Sequence, residues 1–197
     1  GANDNGSGVA AMLELSRAFA GTPRGRTLRF VAFVNEEPPY FQEDSMGSVV
    51  YAKRSAARGE DIVGMLSLET IGYYTNEPDS QDYPKIVAAL YPDRGNFVTF
   101  VSNTRSRRFV KEVVRSFESH TTFPSESIAA IDAIPGIGWS DHWSFYEEGY
   151  PSVMITDTAP NRYPHYHTRH DTPDKLTYPD MARVVDALHG VVGDLVR

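Results

Sequence analysis

The hydrophobic residues follow helical spacing in some segments and form continuous apolar runs in others. Apolar residues recur at helical spacing from Val9 to Phe19, which predicts a helix with Ser7 as its N-cap. The glycine- and proline-containing residues 21–25 end this helix. Residues 28–34 are almost wholly apolar and rich in β-formers, which is typical of a buried parallel strand. Pro38 and Pro39 end this strand.

The later elements alternate in the same way. We predict helices over residues 46–57, 107–117 and 179–196, and strands over residues 65–71, 97–101 and 150–155, with a short strand at 86–90. This alternation indicates an α/β fold, a three-layer sandwich with a mostly parallel central sheet flanked by helices. Four or five strands would leave a long edge exposed unless further strands cover it. We therefore interpret residues 1–197 as a single domain that is incomplete at its N-terminus.

Composition and charge narrow the functional class. A hydrophobic content of 41% over 197 residues is enough for a sizeable core. The sequence has no apolar run long enough for a transmembrane helix, and it contains no cysteine for disulfides or thiolate chemistry. The net charge of −7 argues against nucleic-acid binding. The sequence does not assign an oligomeric state.

Acidic residues and one histidine fall where parallel strands end. In open α/β sheets this edge carries the functional site. Five residues are candidates there: Asp4, Glu36, Glu37, Glu69 and His167. Carboxylate oxygen and imidazole nitrogen are both ligands that zinc accepts. Glu36, beside Glu37, is placed to take a proton from water that the metal activates.

Two aspartates are candidates for a supporting role. Histidine ligands usually need an acceptor for their second ring nitrogen, and Asp141 and Asp171 could provide one. Asp141 is equally well placed to cap the helix that begins near His142. Composition alone does not separate His167 from His142, His165 and His170 as a ligand.

Five motifs, in order, resemble metallopeptidase family 28, the zinc-dependent aminopeptidases and exopeptidases. They are Gly-Ala-Asn-Asp-Asn-Gly-Ser-Gly-Val-Ala at 1–10, Asn-Glu-Glu-Pro-Pro at 35–39, Leu-Ser-Leu-Glu-Thr-Ile-Gly at 66–72, Ser-Asp-His at 140–142 and His-Thr-Arg-His-Asp-Thr at 167–172. The last of these motifs selects His167 among the histidines. Together the motifs cover most of the chain.

The resemblance implies a mechanism and a set of ligands. Asp4 would bridge two zinc ions, Glu37 and His167 would complete one site, and Glu69 would belong to the other. Glu36 would be the general base, and the substrate would be a peptide with a free N-terminus. The family also tends to have a cis peptide bond after the bridging aspartate. Many family members are exported, which favours a secreted or periplasmic protein.

The sequence departs from the family pattern in two places. The family's second histidine ligand belongs to a His-x-Asp motif upstream of the first segment, where this sequence has no residues, and Glu69 stands where many members have aspartate. A single zinc site would need only Asp4, Glu37 and His167. This smaller set keeps two alternatives open: a glutaminyl-peptide cyclotransferase of the same fold, and a non-catalytic binding domain.

Overall fold

A four-stranded sheet forms the centre of the chain in the computed structural model, which describes residues 1–22, 25–83 and 92–197. Its strands are β1 (Met65–Leu68), β2 (Val98–Asn103), β3 (Ser125–Ala130) and β4 (Ser152–Thr156), in the order β1-β4-β2-β3. β1 pairs with β4, and β2 with β3, in parallel, whereas β2 and β4 are antiparallel. The strand predicted at 86–90 lies outside the described residues.

Helices cover both faces of this sheet. They are α1 (Gly8–Phe19), α2 (Gly47–Ala57), α3 (Arg107–His120), α4 (His142–Glu147) and α5 (Tyr178–Leu195), with short 3₁₀ turns at Ala159–Asn161 and Pro173–Lys175. The four helices predicted from apolar spacing are all present. None of the helices in the described ranges is long and apolar enough to span a membrane.

The sandwich is held together by strands whose side chains alternate between two apolar layers. Val153 and Ile155 of β4 are fully buried in the main core, which α1, α3 and α5 also line. Met154, between them, points to the opposite face and packs with Val101 and Ile137. Strands buried on both faces read as continuous apolar runs. The predicted α/β architecture with helices on both faces is confirmed.

Residues 28–34 do not form the buried parallel strand that their composition predicts. Among the described residues no strand pairs with this segment, and Val31 and Val34 are 36% and 67% exposed. The Val34 carbonyl instead accepts a hydrogen bond from the Gly47 N–H at 2.9 Å, at the start of α2. An apolar run becomes a strand only where a neighbouring backbone pairs with it.

β3 is a strand that the apolar pattern does not predict. Its sequence, Ser-Glu-Ser-Ile-Ala-Ala, contains few strand formers, and the strand lies half-buried at the edge of the sheet. Six consecutive residues pair with β2 in parallel register, from Val98↔Ser125 to Asn103↔Ala130. Pairing with a buried neighbour therefore outweighs weak intrinsic preference.

The predicted cap at Ser7 is also wrong. Ser7 has helical dihedral angles and makes no side-chain cap hydrogen bond. Its hydroxyl donates to the Asn3 carbonyl at 2.7 Å and accepts from the Ile71 N–H at 3.0 Å. Asn5 Oδ1 accepts the Gly8 N–H at 3.2 Å instead. Ser7 thus connects the first segment to the chain after β1.

Candidate metal centre

The candidate residues gather at one edge of the sheet because β1 and β4 run in the same direction. Glu69 follows β1 directly, and His167 lies in the loop that follows β4. The carboxyl ends of β2 and β3 lie at the opposite edge, since β2 is antiparallel to β4. Ligand sites in such sheets form beyond the carboxyl ends of the parallel strands.

Asp4, Glu37 and His167 meet there. His167 Nε2 lies 3.0 Å from Asp4 Oδ2 and 3.4 Å from Glu37 Oε1. One ligand atom from each of the three residues falls within 4.8 Å of the others. Within the described ranges, this is the single group of three or more such side chains with that spacing.

The donor set fits a zinc ion. Imidazole nitrogen and carboxylate oxygen are both zinc ligands, and catalytic zinc sites have three protein ligands and keep a further position open. Burial raises the pKa of Asp4, Glu37 raises it further, and His167 acts in the opposite direction. A divalent cation among these side chains would offset the repulsion between the carboxylates.

Two further carboxylates, Glu36 and Glu69, flank this group. Burial raises the pKa of Glu36 to about 8, and the nearby charges of Asp141, Glu37 and Asp4 contribute in that order. Burial also raises the pKa of Glu69 well above its usual value, followed by the charge of Glu36. Glu69 Oε2 accepts a hydrogen bond from the Ser140 hydroxyl at 2.9 Å. Four carboxylates therefore lie around one small volume, which favours a cation.

The backbone around these residues adopts unusual conformations. Three residues at or beside candidate site residues have positive φ values: Asn35 (60°), Thr70 (50°) and His167 (53°). A positive φ at a β-branched threonine is rare, and such strain concentrates at functional sites. Thr70 is held by hydrogen bonds from its N–H to Asn5 Oδ1 at 3.1 Å and between its hydroxyl and that of Thr156 at 3.0 Å. The Asp4–Asn5 peptide bond is cis, as the resemblance implies.

Asp171 supports the site through the backbone. Its carboxylate accepts the N–H groups of Asn3 and Asp4 at 2.8 and 3.0 Å, and the Tyr163 hydroxyl at 2.9 Å. Burial acts to raise the pKa of Asp171, but these hydrogen bonds leave it below its usual value. Asp171 thus fixes the segment that carries Asp4, a different role from the orientation of a histidine ring.

Asp141 does not cap α4, so that alternative is wrong. It precedes the helix but makes no side-chain cap hydrogen bond, and its Oδ1 is buried without a hydrogen-bond partner among the described residues. Burial raises its pKa to about 6, and the Ser48 hydroxyl acts to lower it. The charge of Asp141 also raises the pKa of Glu36, which links Asp141 to the site.

The other histidines lie outside the group. His142 is fully buried, and its Nε2–H donates to the Ile137 carbonyl at 2.8 Å. The rings of His165 and His170 lie near each other, tilted by 60°, with their centroids 6.3 Å apart. Of these four histidines, His167 alone belongs to the three-residue group among the described residues.

Three residues near the site were not singled out from the sequence. Tyr166 stacks on the His167 ring at 3.9 Å between centroids, and its pKa is raised by burial and by the site's four carboxylates. Asn3 and Asp157 are fully buried and bonded to each other, Nδ2 to Oδ2, at 2.9 Å. Asp157 follows β4 directly, as Glu69 follows β1, so the rule that selects Glu69 also selects Asp157.

Comparison with known families agrees with this geometry. The model of peptidase family M28 matches residues 1–192, which include every candidate ligand. The chain belongs to peptidase family M28. The resemblance to this family that the five sequence motifs indicate is therefore confirmed.

Among relatives by sequence, this M28 chain is 41% identical over 189 residues to the uncharacterized protein YfbL of Escherichia coli (strain K12), covering 95% of this chain and 58% of YfbL. It is 25% identical over 202 residues to a probable leucine aminopeptidase of Arthroderma otae, covering 99% of this chain and 47% of that protein. The chain thus spans roughly half the length of the relatives it matches.

Solved structures share the fold. A zinc aminopeptidase from Bacillus subtilis superimposes with a TM-score of 0.72 at 22% identity, over 100% of this M28 chain and 43% of that protein. The glutaminyl cyclase of Porphyromonas gingivalis superimposes with a TM-score of 0.65 at 16% identity, over 100% and 64% of the two chains. Two kinds of enzyme therefore share this architecture.

Proposed function

We propose that this chain carries the metal-binding core of a zinc-dependent aminopeptidase, an exopeptidase that hydrolyses the N-terminal peptide bond of its substrate. The observation that carries the proposal is the meeting of Asp4, Glu37 and His167 around a common point, with Glu36 beside it. A binding domain without catalytic function has no need of a half-buried carboxylate in the position of Glu36.

Each ligand in the proposal has a defined place. Asp4, Glu37 and His167 would hold one zinc ion, and Glu69 together with Asp4 would contribute to a second. Bound zinc polarises a carbonyl group and lowers the pKa of water, which is the chemistry that amide hydrolysis requires. The Ser140 hydroxyl holds one oxygen of Glu69, so the other is available to a ligand.

Glu36 is assigned the proton transfers. Its carboxylate takes the proton from the attacking water and passes it to the leaving amine. Burial and the neighbouring negative charges raise the pKa of Glu36 to about 8. A cation nearby would lower this pKa toward the neutral range. A base with a pKa near the working pH can both accept and return a proton.

The acidic character of the site fits a substrate with a free amino terminus. The carboxylate of Glu69 is buried beside those of Glu36 and Asp4, and their combined charge favours a cationic group. A protonated or metal-bound amine at this end of the substrate would define the enzyme as an exopeptidase. Peptides with a blocked N-terminus would then bind poorly.

Glutaminyl-peptide cyclisation is the second candidate function. The three-residue group consists of Asp4, Glu37 and His167 and does not include Glu69. These three ligands are the set that a single zinc ion needs. In this reaction the α-amino group of an N-terminal glutamine attacks its own side-chain amide and ammonia leaves. Aminoacyl p-nitroanilides and a peptide with N-terminal glutamine separate the two activities. Cyclisation without anilide release would favour the second.

The general base provides the decisive test. Glu36→Gln keeps the shape of the side chain but removes the acceptor of the proton, so we expect anilide hydrolysis to fall by roughly 10²–10⁴-fold. Zinc content, measured by atomic absorption, should stay near that of the unchanged protein. Glu43→Gln, an exposed carboxylate in the same loop, is the matched control. Full activity in Glu36→Gln would refute the assigned mechanism.

A further inference from the structure

Asp4 follows a residue whose polar atoms are all engaged. Asn3 is fully buried, its N–H donates to Asp171, and its carbonyl accepts from the Ser7 hydroxyl. Its side-chain Oδ1 accepts the Gly72 N–H at 2.8 Å, and its Nδ2 donates to Asp157 Oδ2 at 2.9 Å. The backbone that leads into Asp4 therefore has little freedom to move.

Asp157 connects two segments of the candidate metal centre. The Oδ2 atom that accepts from Asn3 also accepts the Tyr73 N–H at 2.9 Å, four residues beyond Glu69. The Asp157 N–H donates to the Thr70 carbonyl at 2.6 Å, directly after Glu69. One residue at the end of β4 thus holds both the chain that carries Asp4 and the chain that carries Glu69.

We propose that Asp157 is a positioning residue for the metal-binding segment: through the Asn3 side chain, its carboxylate sets where Asp4 meets Glu37 and His167. This inference rests on the proposed zinc site. The Asp171 carboxylate accepts hydrogen bonds from the backbone N–H groups of Asn3 and Asp4. The Asp157 carboxylate accepts one from the Asn3 side chain. Groups that orient metal ligands commonly contribute to metal affinity without touching the metal.

A fully buried carboxylate needs compensation, and the structure provides a nearby cation. Arg162 is itself buried, and its guanidinium is fixed by hydrogen bonds from Nε to Gln81 Oε1 at 2.7 Å and from Nη1 to the Phe97 carbonyl at 2.8 Å. Burial raises the pKa of Asp157 to about 6, and Arg162 acts to lower it. Arg162 thus favours the ionised carboxylate, which is the stronger hydrogen-bond acceptor.

The inference is tested by measuring zinc affinity, with a competing chelating dye, on purified protein that circular dichroism shows to be folded. Asp157→Ala removes the acceptor of the Asn3 and Tyr73 N–H groups, and Asn3→Ala removes the donor to Asp157 together with the acceptor of the Gly72 N–H. We expect each to weaken zinc binding by roughly 10–100-fold, the usual range for groups that support ligands. In Asp157→Asn the amide oxygen can still accept both N–H groups, so affinity should stay closer to that of the unchanged protein.

The double variant and a distant control separate positioning from general stability. Because the two single variants share the loss of the Asn3–Asp157 contact but separately lose the bonds to Gly72 and Tyr73, the Asn3→Ala/Asp157→Ala protein should lose less zinc-binding free energy than the sum of the two single losses. Ser102→Ala removes a buried hydrogen bond to the Ser152 carbonyl at the opposite edge of the sheet, and should leave zinc affinity unchanged. If Asp157→Ala does not fold, Asn3→Ala carries the test alone, since it leaves the bond between Asp157 and Tyr73 in place.

The possible failures are distinguishable. Unchanged zinc affinity in folded Asp157→Ala or Asn3→Ala would overturn the positioning role and leave the proposed function standing. An equal loss in Ser102→Ala would also overturn it, because the effect would then follow stability. If the unchanged protein binds no zinc, the proposed function fails, and the positioning role fails with it.

Discussion

His167 Nε2 lies 3.0 Å from Asp4 Oδ2, although the two residues come from nearly opposite ends of the chain. This contact joins the segment before α1 to the loop between β4 and α5, and Glu37 Oε1 lies 3.4 Å from the same nitrogen. The imidazole is half exposed, so it can exchange these contacts for a metal ion without unfolding the loop.

Replacing His167 should remove the zinc site. His167→Ala deletes one of three ligands, and we expect zinc affinity to fall by at least about 100-fold, beyond the range for supporting groups. Isothermal titration calorimetry measures the change. His165→Ala is the matched control, since this neighbouring imidazole is outside the group of three. Equal losses in both variants would argue against a specific ligand role for His167.

Zinc should also stabilise the fold. A ligand that binds only the folded state at 100 times its Kd adds about 2.7 kcal/mol to the free energy of unfolding. We therefore expect Tm, followed by circular dichroism, to rise on zinc addition and to fall on addition of EDTA. The His167→Ala protein should show neither change. A Tm that responds equally in that variant would place the stabilising metal elsewhere.

Tyr166 is expected to affect turnover more than metal binding. Its phenol stays protonated, because burial and the surrounding carboxylates raise its pKa, and so it can donate a hydrogen bond at the site. Tyr166→Phe keeps the ring that stacks on His167 but removes this donor. We predict a fall in kcat of about tenfold or more with zinc affinity unchanged. Tyr178→Phe, at an exposed tyrosine, is the control.

His142 should make the fold less stable in mild acid. Burial lowers its pKa to about 4 from 6.5, so the unfolded chain binds a proton at a pH where the folded protein does not. The stability from this group is complete above pH 6.5 and is lost as the pH falls toward 4, a change of about 3 kcal/mol.

Urea unfolding at pH 7, 6, 5 and 4 (about one unit apart, to span both pKa values) measures this loss. His142→Gln keeps an N–H that can donate to the Ile137 carbonyl but does not titrate, so its free energy of unfolding should depend less on pH in this window. If the variant and the unchanged protein show equal slopes, another group is responsible.

Local sequence patterns predicted the elements that also have a packing or pairing partner in the fold. The apolar spacing of α3, with Phe109, Val110, Val113 and Phe117 on one side, predicts the helix and the face that is buried in the core. Residues 28–34 carry an equally clear pattern for a strand, yet no described strand pairs with them. β3 has the weaker pattern and is nevertheless a strand, because β2 pairs with it along its whole length.

The sequence by itself determined which residue types could form the centre: acidic residues directly after apolar runs, and a histidine in a motif of peptidase family M28. Only the tertiary structure decided that Asp4, Glu37 and His167 meet, and that Asp157 and Asn3 are bonded behind them. The reason is physical. Strand and helix periodicity depends on neighbours in the chain, whereas a metal centre depends on distances set by the parallel pairing of β1 with β4 and by buried hydrogen bonds between remote segments.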